Sequence, residues 1–111
     1  MTLSDALRFI SVIREVDAEM PLPQVHCFLI IAEAEDGLSL TELANKASVG
    51  LATASRYVGF LGKINRFRED GHQLVESFED PTERRKKIIR LTGRGKALLN
   101  RSLGEKNAHL S

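Results

Sequence analysis

Asp80-Pro81-Thr82-Glu83-Arg84-Arg85-Lys86-Lys87-Ile88-Ile89-Arg90-Leu91-Thr92 is the stretch whose reading decides the fold. Asp-Pro opens a turn, because Pro presets φ and an Asp side chain bonds backbone groups just ahead of it. Lys87–Leu91 carries strand-type residues, and Gln73–Glu79 supplies a second run of them before the turn. Two strands around the charged tip Glu83-Arg84-Arg85-Lys86 make a hairpin with a basic loop. Thr92 then caps a last helix, roughly Gly93–Leu103, which Gly104 ends.

Upstream, Ser39-Leu40-Thr41-Glu42 has the spacing of a capping box, with Ser39 as N-cap and Glu42 at N3. A short helix, Thr41–Ala47, leads through Ser48-Val49-Gly50 into a second helix from Leu51 to at least Lys63. Two helices around so short a turn are a helix-turn-helix candidate, residues 39–63. At about 100° per residue, Ala54, Val58, Leu61 and Asn65 share one side of the second helix, with Tyr57 at its margin. Ala52, Arg56, Gly59 and Lys63 centre the other, flanked by Thr53, Ser55 and Phe60. That second face has two cations among small residues, so the backbone can come close to a partner. It suits a DNA major groove: Arg56 can pair with guanine, Thr53 or Ala52 can touch a thymine methyl, and Lys63 can meet phosphate. Helix-turn-helix followed by a basic hairpin is the order of a winged helix, mainly α with a small β-hairpin wing.

Residues 3–20 read as a helix started by Thr2 or Ser4. Leu3, Leu7, Ile10, Ile13, Val16 and Met20 form its apolar stripe, which Phe9 and Val12 widen beyond what one small core needs. Pro21 ends it, and Pro23 opens a helix to about Glu35 that is apolar nearly all round, as a central buried helix should be. Gly37 is its stop.

With 111 residues, 42% of them apolar and 28% charged, the chain fits one domain, residues 1–111, able to hold a core without staples. Its single cysteine excludes a disulfide framework and points to a reducing compartment. Met1-Thr2-Leu3-Ser4-Asp5 does not read as a secretory leader, and no apolar run is long enough for a membrane span, so a cytoplasmic location is expected. The net charge of +1 hides a division: residues 1–50 carry three Lys/Arg against eight Asp/Glu, residues 51–111 thirteen against seven. One face for a polyanion and another for a different partner would produce that split.

The wing run, with Leu74-Val75-Glu76 before it and Leu91-Thr92 and Gly95 closing it, resembles the wing of MarR-type transcription regulators. Leu40-Thr41-Glu42-Leu43-Ala44 and Thr53-Ala54-Ser55-Arg56-Tyr57-Val58 resemble that family's helix-turn-helix, and the likeness covers roughly residues 24–100. It implies that Arg85 enters the minor groove, that Glu83 orients it, and that Arg84 and Lys86 support it on phosphates. Thr53, Ser55 and Arg56 match positions that read or clamp DNA. A guanidinium in a narrow minor groove meets concentrated negative potential. Two features depart from the family pattern. Gly62–Gln73 contains an insertion of about seven residues, which lengthens the recognition helix or forms a basic loop with Lys63, Arg66 and Arg68. Only residues 93–111 follow the wing where the family has long interlocking helices, so a dimer must rely on the N-terminal helix, residues 1–20.

No P-loop, nucleophile elbow or HExxH motif occurs, and His26, His72 and His109 are scattered. Neither catalysis nor a metal or other cofactor is expected, and Cys27 reads as a buried, inert thiol. The resemblance implies, for part of the family, a small-molecule effector as a further partner, although no residue marks its site. The expectation is a homodimeric, sequence-specific regulator of double-stranded DNA, a repressor from a bacterial cell, and its compact form fits a phage or mobile element. The alternative is a winged helix that binds protein, as an adaptor or an antagonist of a host complex, through the apolar stripe of residues 3–20. Divisions at 39–63 (helix pair), 73–91 (wing) and 92–104 (last helix) follow.

Overall fold

The computed structural model describes residues 2–62, 71–83 and 85–103. The elements run α1 (Leu3–Val16), α2 (Leu22–Glu33), β1 (Leu38–Ser39), α3 (Leu40–Ala47), α4 (Leu51–Leu61), β2 (Val75–Glu79), β3 (Lys87–Leu91) and α5 (Gly93–Leu103). This is the mainly α winged helix-turn-helix that the sequence predicts. Expectations that fall on Lys63, Asn65, Arg66, Arg68, Arg84 and residues 104–111 lie outside the described residues.

A capping box starts α1: Thr2 Oγ1 accepts the Asp5 N–H at 3.1 Å, and the Asp5 carboxylate accepts the Thr2 N–H at 3.0 Å. The helix stops at Val16, short of the expected Met20. Asp17 is the cause. Its backbone is extended and its Oδ1 accepts the Glu19 N–H at 3.0 Å, a local bond that replaces the helical ladder.

Helix α1 turns Phe9, Val12 and Ile13 inward and leaves Leu3, Leu7 and Ile10 exposed. The expected core stripe is therefore split. Phe9 and Val12, read as surplus, are core, with the Phe9 ring stacked on Phe28 at a centroid distance of 6.5 Å. Helix α2 is the buried centre that its all-round apolarity predicts. Cys27, Phe28 and Ile31 are wholly enclosed, and burial pushes the Cys27 thiol up from its ordinary value.

The sheet has the order β1-β3-β2 and is antiparallel throughout. Strand β1 pairs Leu38 with Ile89 and Ser39 with Ile88, and two residues are too few for any alternation to be read. Gly37, expected only as a helix stop, has φ +90. A Cβ there would lie 2.4 Å from Ile88 Cγ2, so glycine is what lets β1 dock. Helix α5 packs on α1, where Arg101 pairs with Glu15, and the core between the layers is closed by Leu43, Leu61, Leu74 and Val75.

Candidate nucleic-acid interface

Helix α3 begins with the predicted capping box: Ser39 Oγ accepts the Glu42 N–H at 3.1 Å, and Glu42 Oε1 accepts the Ser39 N–H at 3.2 Å. The Ser39 N–H, with the Ser39 hydroxyl and the cations Lys86 and Lys46 in support, holds the Glu42 carboxyl below the usual range. The turn to α4 hinges on Ser48, left-handed at φ 56. It is fixed by the Val49 N–H donating to the Ala44 carbonyl at 3.0 Å. Ala54 and Leu61 of α4 are then fully buried, with Tyr57 and Val58 half-buried against the same core. Ala52, Ser55 and Arg56 face solvent and Thr53 is half-buried, the division that the helical wheel predicts.

Gly62, extended at φ −90 and ψ −151, ends α4 at Leu61, earlier than the expected Lys63. The chain is back against this helix end by His72. The carbonyls of Phe60, Leu61 and Gly62 accept the N–H groups of His72 (2.9 Å), Leu74 (2.8 Å) and Gln73 (2.9 Å). These bonds satisfy the last carbonyls of the helix and tie it to the root of β2. A Cβ on Gly71 would sit 2.1 Å from the Gly62 oxygen, so the backbones of the two glycines touch.

The strand leading to the wing starts at Val75, not Gln73, because residues 72–74 are taken up by α4. Its register with β3 runs from Val75↔Leu91 to Glu79↔Lys87. At the tip, Asp80 Oδ1 accepts from the Thr82 N–H (2.8 Å), the Thr82 hydroxyl (2.7 Å) and the Glu83 N–H (3.4 Å). The Asp80 N–H donates to the Lys86 carbonyl at 2.8 Å, and the Lys86 N–H to the Glu83 carbonyl at 2.9 Å. The Thr82 hydroxyl leads the interactions that hold the Asp80 carboxyl below its ordinary value. These bonds cross-link the described residues of the tip to one another.

Arg85 and Lys86 stand exposed on it, across a groove of about 750 Å³ from Thr41 and Glu42 at the start of α3. Among the described residues, neither Arg56 nor Arg85 is paired with a carboxylate, so both guanidiniums are available. Lys86 is partly engaged, lying close enough to Glu42 and Asp80 to lower both carboxyls. No hydrogen bond or ion pair joins Glu83 to Arg85. The residue that shapes the tip is Asp80, which the sequence marked only as a turn opener through Asp80-Pro81-Thr82. Lys63 and Arg84, the remaining predicted contacts, lie outside the described residues. Among the described residues, no cluster of three His, Cys, Asp or Glu could hold a metal, and no helix is long and apolar enough to cross a membrane.

No model of a known protein family matches the chain, and no curated protein matches it. Solved structures do. MarR shares 24% identity over 84% of this chain and 60% of its own, with a TM-score of 0.63. A MarR-like transcriptional regulator from Thermotoga maritima shares 24% over 84% of this chain and 60% of its own, at 0.65. MepR from S. aureus, solved as a DNA complex, shares 21% over 85% of this chain and 68% of its own, at 0.66. The chain spans 50 to 60% of the length of MarR and of two further matched proteins, FabT and the transcriptional regulator PcaV. The arrangement of α3, α4 and the three-stranded sheet is theirs: the chain has the winged-helix fold of MarR-type transcription regulators.

Proposed function

We propose that the chain is a sequence-specific, double-stranded-DNA-binding transcription regulator, a homodimeric repressor that occludes a promoter in a bacterial cytoplasm. The observation that carries this reading is the presence together of two unneutralised guanidiniums, Arg56 on the exposed face of α4 and Arg85 on a wing tip held by the hydrogen bonds of Asp80. Thr53, Ser55 and Arg56 read the major groove, Arg85 enters the minor groove, and Lys63, Arg84 and Lys86 meet phosphates. The exposed Leu3, Leu7 and Ile10 of α1 support a dimer through that helix, because a lone protomer gains nothing from an apolar row in water. Two α4 helices would then enter successive major grooves about one turn apart. The existence of a regulator of this fold as a DNA complex supports the same reading.

The test is a fluorescence-anisotropy titration against random and upstream-region duplexes at two salt concentrations. Tight, salt-sensitive binding that prefers one duplex is the expected result. No binding at low salt removes the DNA reading and leaves the exposed row of α1 as the site of a protein partner.

A further inference from the structure

Arg90 counts in the sequence as one more cation of the wing, but its side chain is engaged. It stands opposite Glu76 in the β2–β3 register. Its Nε donates to Glu76 Oε1 at 2.9 Å, and its guanidinium lies over the Phe78 ring, 4.3 Å from the centroid. The alternation of the strands puts Glu76, Phe78 and Arg90 on the face opposite the buried Ile89 and Leu91. Strand β1 covers β3 only at Ile88 and Ile89, so most of the hairpin is a two-stranded ribbon. Such a ribbon is marginal alone in water, and cross-strand side-chain pairs are what steady it.

We infer that Arg90 is a positioning residue of the wing: clamped between Glu76 and Phe78, it stiffens the hairpin that carries Arg85 and does not itself touch DNA. The consequence for affinity rests on the DNA-binding reading above, whereas the clamp stands without it. A hairpin already ordered has less freedom to lose when its tip enters a groove.

Arg90→Gln and Glu76→Gln in the full chain test this. Glu76→Gln is the sharper variant, because it makes the protein more positive and releases Arg90. The clamp predicts that each variant binds its duplex about three- to tenfold more weakly. It also predicts an unchanged slope of log affinity against log salt, since no phosphate contact is lost. Amides of β2 and β3 should exchange faster with solvent deuterium in both variants, without DNA present. Tighter binding by Glu76→Gln overturns the inference, as does a slope shallower by about one in Arg90→Gln. Unchanged amide exchange overturns it too. A wild type that binds no duplex removes the DNA reading, and the exchange measurement then decides the clamp alone.

Discussion

The Thr92 hydroxyl accepts the Gly95 N–H at 3.0 Å while donating to the Gln73 carbonyl at 2.8 Å, so one oxygen caps α5 and ties it to the root of the wing. The Thr92 N–H adds a bond to the Leu74 carbonyl at 3.0 Å. Gly95 completes the joint by bringing helix backbone against strand backbone: a Cβ there would lie 2.2 Å from the Leu74 oxygen. Gly95→Ala should cost about 1–3 kcal/mol through that overlap. Thr92→Val should cost about 1–2 kcal/mol through the lost cap. Urea denaturation of the two variants checks both values, and a Gly95→Ala protein as stable as wild type would show that the joint yields.

Ile10 and Ile13 are neighbours on α1 with opposite roles, since Ile10 is 46% exposed and Ile13 only 4%. Ile10→Asp should separate a dimer into folded protomers, while Ile13→Asp should unfold the protomer by burying an unpaired charge. The two are distinguished by sedimentation velocity and circular dichroism. A wild type that sediments as a monomer removes the dimer, and with it any effect of Ile10→Asp on mass.

On the proposed reading of DNA by α4, Arg56→Ala should weaken binding to a preferred duplex more than to random DNA, because the proposed base contact is removed. Arg85→Ala should weaken binding to all sequences by about 1–3 kcal/mol and flatten the salt dependence. Parallel titrations on specific and random duplexes separate the two roles. Equal losses on both duplexes for Arg56→Ala would take base reading away from it.

Asp5, Glu42 and Asp80 all hold their carboxyls below the ordinary values, chiefly through hydrogen bonds from Thr2, Ser39 and Thr82. A depressed carboxyl contributes stability that is complete above its unfolded value and lost as the pH falls through the folded one. With ordinary values of 3.8 for Asp and 4.5 for Glu, these contributions are constant at neutral pH and vanish in acid. Cys27 has the opposite sign: its raised thiol favours the fold below its ordinary value of 9.0 and weakens it as the pH climbs beyond. Melting temperatures should fall at both ends of the range, and Cys27→Ser should flatten the alkaline arm alone. In the native protein Cys27 should resist a thiol reagent that labels it on denaturation.

The wing and the helix pair were legible because each rests on short-range chemistry. Capping boxes, the Asp-Pro turn and the face division of α4 are decided within a few residues of themselves. What was not legible depends on partners distant in sequence. Strand β1 exists because Ile88 and Ile89 lie beside it. The inward face of α1 is set by Phe28 and α5, and periodicity alone could not choose between Phe9-Val12-Ile13 and Leu3-Leu7-Ile10. The end of α4 looked open because Gly62 can continue a helix. Its stop is enforced by His72, Gln73 and Leu74, which return to cap its carbonyls. The cross-strand pairing with Glu76, fourteen residues away, likewise engages Arg90, which its own neighbours in sequence do not reveal.

The close approach of Gly71 to Gly62 adds a backbone contact to the three amide hydrogen bonds that His72, Gln73 and Leu74 make to the end of α4. The mechanical consequence is a rigid coupling: a tilt of α4 is passed on to the root of β2 and is not absorbed at the join, so helix and hairpin move as one lever.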